Sequence, residues 1–85
     1  PRTIAAQAAD EFLNISGIMT SFVLSPDGDV VFMSARSIGS CNVQVVLEKL
    51  GGGGNAATAG AQIKNKSVRE VLADLVASID QFYES

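Results

Sequence analysis

The chain has 85 residues, a formal net charge of −3 and hydrophobic side chains at 47% of its positions, which suits one small domain with its own core. It has no histidine and a single cysteine. That removes the commonest general base and metal ligand, makes a zinc site of the usual kind unexpected, excludes an internal disulfide and fits a reducing, cytoplasmic setting. The acidic balance, without a basic block, argues against sequence-independent nucleic-acid binding, and no apolar run approaches a membrane span.

Pro1-Arg2-Thr3 reads as the start of a domain excised from a longer parent. Thr3 to Leu13 is predicted as a first helix, with Thr3 as N-cap and Ile4, Ala8, Ala9, Phe12 and Leu13 on one stripe. Ile18 to Ser25 reads as a strand, Pro26-Asp27-Gly28-Asp29 as a turn, and Val30 to Ala35 as the antiparallel return strand. Asn42 is placed to cap a second helix, in which Val43, Val46, Leu47 and Leu50 share a face. Ala57 to Ile63 alternates and reads as a third strand, whose small side chains imply a close neighbour. Ser67 and Glu70 form a capping box that opens a last helix to about Tyr83. The order helix-strand-strand-helix-strand-helix implies an α/β (α+β) domain. Its small sheet is expected to be mixed, through a parallel, right-handed strand-helix-strand crossover.

Residues Gly51 to Gly54 are four consecutive glycines after the second helix. One is an ordinary helix stop; the others sacrifice packing and backbone entropy. A bare backbone with exposed amides suits a phosphate, and a flexible hinge is the competing reading. The expected second strand ends near Ser34, Arg36 and Ser37, in the crevice that α/β folds favour for ligands. Arg36 has the fork for a bidentate phosphate contact, against the plainer reading of a solvated surface charge. Asn42 joins the candidate set as well as capping its helix. The glycines leave the far end of a helix about 12 Å long, so they reach the arginine only by folding back along the sheet, or else face a second part of the ligand. Cys41 reads as a small, partly buried side chain.

Ser34-Ala35-Arg36-Ser37, Asn42-Val43-Gln44, Glu48 through Gly54 and Ala59-Gly60-Ala61-Gln62-Ile63 together resemble the DHH-associated domain of DHH-type phosphoesterases. The branch most resembled is the membrane-bound cyclic-di-AMP phosphodiesterase of bacteria, and the likeness runs from about Ala5 to Ile63. The resemblance implies a substrate-binding lid following an upstream catalytic domain, which carries an Asp-His-His motif and two manganese ions. This domain itself then holds no cofactor. By the same resemblance, Arg36 grips phosphate, Ser34 and Ser37 support it, and Gly52, Gly53 and Gly54 line the nucleotide. The family usually has histidine directly after the glycines; Asn55 stands there and offers only a neutral hydrogen bond, about half as strong as a charge-assisted one. The implied parent is anchored in the cell membrane with this domain on the cytoplasmic side, touching no lipid itself. Alternatives are the lid of a short-RNA or single-strand exonuclease, and a non-catalytic RNA-contacting or homodimerising module. In the RNA reading, Arg36, Lys49, Lys64 and Lys66 would make a locally basic face.

Overall fold

The structure, a computed structural model, describes residues 10–84. The elements are β1 (Glu11–Ile15), a 3-10 turn (Ser16–Ile18), β2 (Thr20–Asp27), β3 (Val30–Ser37), α1 (Val43–Glu48), β4 (Gly53–Gly54), β5 (Thr58–Lys64) and α2 (Val68–Glu84). They form one sheet in the order β1-β2-β3-β5-β4, with every pair antiparallel among the described residues. The α/β class is as expected; the mixed sheet and the parallel crossover are not.

The reason for that difference lies in how α1 returns. The chain descends α1 and comes back through the glycines to the end it left. There the Ser37 amide donates to the Ala57 carbonyl (2.9 Å) and the Val43 amide to the Ala56 carbonyl (3.1 Å). Strand β5 therefore starts beside the end of β3 and runs back against it, with Met33 opposite Ala61.

The second difference is at the start. Glu11–Ile15 is a strand, not the end of a helix, and it pairs with β2 with Leu13 opposite Phe22. Leu13 and Ile15 turn toward the core, while Phe12, between them, lies 67% exposed on the other face. A period of two wins over the helical stripe because β2 offers a partner edge. The rest of the expected first helix, Thr3 to Ala9, lies outside the described residues.

The β2–β3 hairpin forms as expected but runs longer, with Asp27 opposite Val30. Gly28, at φ +63°, supplies the positive first loop residue of a two-residue turn. Pro26 lies beyond Leu24, the last β2 position that β1 pairs, so its missing N–H removes nothing from that ladder.

Both helices pack on one side of the sheet. Phe22, Leu24, Val31, Met33, Ala35, Ala59 and Ala61 point down from the strands onto Val43, Val46 and Leu47 of α1 and Val71, Leu75 and Ile79 of α2. Cys41 is buried among them. The capping box forms as the sequence implies: the Glu70 amide donates to Ser67 Oγ (3.1 Å), and the Ser67 amide to Glu70 Oε1 (2.8 Å). Ser78 ties the helices together by donating its hydroxyl to the Val46 carbonyl at 2.6 Å.

Candidate functional site

With both helices below, the upper face of the sheet carries no element among the described residues. Alternation along the strands decides which side chains stand on it. On β3 these are Phe32, Ser34 and Arg36, all exposed, while Val31, Met33, Ala35 and Ser37 are buried. Cross-strand register then sets two rows. One runs Asn14, Ser21, Arg36, Thr58; the next runs Phe12, Val23, Ser34, Gly60, Gly53.

The Arg36 guanidinium makes no hydrogen bond or ion pair among the described residues, so its fork of donors is uncommitted. Ser34 is exposed beside it on the same strand and the same face. Ser37 is not: it is 6% exposed on the core side. Its hydroxyl shares a 3.0 Å hydrogen bond with Thr20 Oγ1 and accepts from the Gly39 amide at 3.3 Å. Ser37 fastens the end of the hairpin and does not stand with Arg36. Asn42 acts as the helix cap, its Oδ1 accepting from the Val45 amide at 3.3 Å.

The glycines divide by role. The Gly52 amide donates to the Leu47 carbonyl (2.8 Å) and the Gly51 amide to the Glu48 carbonyl (3.1 Å), a Schellman closure with Gly51 at φ +88°. These two amides are spent on the helix end and are not free for an anion. A Cβ on Gly52 would sit 2.2 Å from the Gly60 carbonyl oxygen and 2.7 Å from Ala61 Cβ. One on Gly54, at φ +147°, would meet the Thr58 carbonyl oxygen at 2.4 Å. Close approach to β5 therefore explains both glycines, and it also explains the small side chains of that strand. Gly53 alone of the four has an ordinary φ and nothing within 4 Å of a built Cβ. Folding does not demand it.

Asn55 closes the β4–β5 turn. Its Oδ1 accepts from the amides of Ala57 and Thr58, both at 2.9 Å, while its own amide donates to the Thr58 carbonyl at 2.7 Å. The residue works as a turn cap, which uses its side-chain acceptor and leaves its Nδ2 donor without a partner among the described residues.

The arginine and the glycines thus share the open face but not a cleft. Arg36 borders a shallow cleft of about 300 Å³ with Asn14, Ser21 and Ile38. The glycines border another of about 560 Å³ with Phe32, Gly60 and Gln62.

A family model described as the DHHA1 domain matches residues 1–85. The chain is a DHHA1 domain. It is 44% identical over 82 residues to the cyclic-di-AMP phosphodiesterase PdeA of Listeria monocytogenes, covering 95% of this chain and 12% of that protein. It is likewise 44% identical over 84 residues to the cyclic-di-AMP phosphodiesterase GdpP of Geobacillus thermodenitrificans, covering 98% of this chain and 13% of that protein. A membrane protein-large ribosomal subunit bL9 fusion protein of aster yellows witches'-broom phytoplasma is 31% identical over 84 residues. The chain therefore spans about an eighth of the length of the two phosphodiesterases.

Among the described residues of this DHHA1 domain, the four cations of the expected basic face divide, with Lys64 on the open face alongside Arg36 by alternation. Lys49 donates to Gln81 Oε1 (3.1 Å) and Lys66 pairs with Asp74 (2.7 Å), both at a cleft on the helical side. The hydrogen bond and charge of Asp74 hold the Lys66 ammonium above its ordinary pKa. Among the described residues, no helix of the domain is long and apolar enough to cross a membrane. Sequence reasoning missed Phe32, Thr58, Gly60 and Gln62 as members of the open face. The alternation on β3 and β5 is the signal that marks them.

Proposed function

We propose that this DHHA1 domain is the substrate-binding lid of a DHH-family phosphodiesterase, holding a phosphate of cyclic di-AMP or a related short nucleotide. The catalytic domain lies upstream in the parent protein, on the cytoplasmic side of the membrane that anchors it. One observation carries this reading: an arginine whose side chain has no partner among the described residues stands on the sheet face that carries no described helix, two strand positions from a row that ends in glycine. A guanidinium there can take phosphate oxygens in pairs. The Ser34 hydroxyl adds a donor, and Gly60 and Gly53 leave the floor beside it low enough for a ligand to lie close. The names carried by the relatives at 44% identity favour a cyclic dinucleotide over a longer strand.

The manganese ions that the family implies find no fit among the described residues. The chain has no histidine, and no group of three or more His, Cys, Asp or Glu gathers among the described residues. No hydrolytic step is assigned to it; its part is to bind and orient. The lid of a short-RNA exonuclease would use the same face. The RNA-contacting module is less favoured because its four cations do not share one face: Lys64 falls on the open face with Arg36 by alternation, while Lys49 and Lys66 lie on the helical side.

The test is the affinity of the full-length protein for cyclic di-AMP, measured by calorimetry with and without Arg36→Ala. The reading expects weaker binding with unchanged circular dichroism. Equal affinity in the two proteins overturns the phosphate role of Arg36.

A further inference from the structure

The cleft beside the glycines contains more than a phosphate needs. Phe32 is 40% exposed on the open face, where no core explains an aromatic ring. Directly across the strand pair stands Gln62, exposed, with no hydrogen-bond partner for its amide among the described residues. The adjacent row offers Gly60 and Gly53, neither of which has a side chain to obstruct a flat group laid against Phe32. All four border the same space of about 560 Å³, inside the range of roughly 300–1,000 Å³ typical of small-molecule sites. Phe32 and Arg36 are four residues apart on one face of β3, so their Cα atoms are separated by about 13 Å at about 3.3 Å per residue.

We propose that Phe32 and Gln62 form a nucleobase platform. The base of the nucleotide stacks on the Phe32 ring over the glycine floor, and the Gln62 amide, which both donates and accepts, addresses the base edge. The proposal rests on the phosphate-grip reading of Arg36 and adds the second half of the ligand. It accounts for the two separate clefts on one face: one takes charge, the other takes a ring. It also gives Gly53 a purpose that folding does not supply.

The test compares AMP with ribose 5-phosphate as probes of the full-length protein, by calorimetry. Neither contains a phosphodiester, so hydrolysis does not intervene. The expected pattern has wild type binding AMP more tightly than ribose 5-phosphate. Phe32→Ala then weakens AMP by about 5- to 150-fold, the range of one base–aromatic stack, and leaves ribose 5-phosphate unchanged, while Phe32→Trp keeps AMP affinity. Three results each overturn the platform: no preference for AMP in wild type, no loss of AMP affinity in Phe32→Ala, or equal loss of both probes. Arg36→Ala separates the two readings, since it weakens both probes if the phosphate grip holds. If it weakens neither, the phosphate reading fails whatever Phe32 does.

Discussion

Gly53 offers the sharpest separation of folding from binding. Gly52 and Gly53 are neighbours in one glycine run, yet they face different surroundings. A methyl group on Gly52 lands 2.2 Å from a backbone oxygen and 2.7 Å from Ala61 Cβ. Backbone gives way poorly, so Gly52→Ala should destabilise the domain by about 1–3 kcal/mol, the usual cost of overpacking. A methyl group on Gly53 meets nothing within 4 Å, and its φ is not positive. Gly53→Ala should therefore raise stability by about 0.4–1 kcal/mol, because the unfolded chain loses freedom while the native strand accepts the side chain. The same side chain enters the open face beside Gly60, where the ligand is held to lie. Gly53→Val should accordingly weaken nucleotide binding by the full-length protein at least about tenfold, or 1.4 kcal/mol, and lower its turnover. Urea denaturation of the domain followed by circular dichroism measures the first pair of effects, and calorimetry with cyclic di-AMP measures the last. Should Gly53→Ala destabilise as much as Gly52→Ala, the packing argument is wrong. Should Gly53→Val bind normally, the glycines are a fold-back device and nothing more.

Three further expectations concern residues around the site. Ser37→Ala should cost about 1 kcal/mol of stability, because it strips partners from Thr20 Oγ1 and the Gly39 amide; calorimetry should find nucleotide affinity unchanged, where the phosphate-supporting role would require a loss. Asn55→Ala should lower the denaturation midpoint by an amount equivalent to about 1 kcal/mol, since it unties the amides of Ala57 and Thr58. Ser67→Ala should cost about 0.5–2 kcal/mol through the lost cap of α2, with no effect on affinity; a change in affinity would show that α2 communicates with the open face.

The parts of the fold that local chemistry specifies were readable in the sequence. The capping box of α2, the Asn42 cap and the Gly28 turn each announce themselves within a few residues. The parts set by distant partners were not. Phe12 and Leu13 fit the end of a helical stripe as well as the strand alternation that continues through Ile15, and only the edge of β2 decides between them. The direction of β5 depends on α1 and the glycines closing back on their starting point, through bonds from Ser37 and Val43 to Ala57 and Ala56. Strand β4 is two glycines long and carries no pattern at all. The site shows the same division. Arg36 falls on the open face by alternation, and the same alternation places Ser37 with Val31, Met33 and Ala35 on the inside. Clustering in sequence suggests that Ser37 joins Arg36; the pleat of the strand separates them. For the glycines, composition alone does not distinguish a backbone needed for β5 packing from one left bare for a ligand. The space around each Cβ position does.

The most direct measurement is a crystal structure of the full-length protein with a non-hydrolysable analogue of cyclic di-AMP. The account predicts phosphate oxygens within hydrogen-bond distance of the Arg36 guanidinium and the ligand lying across Ser34, Gly60 and Gly53. A ligand bound on the helical side, or an Arg36 side chain turned away from every phosphate, would contradict it.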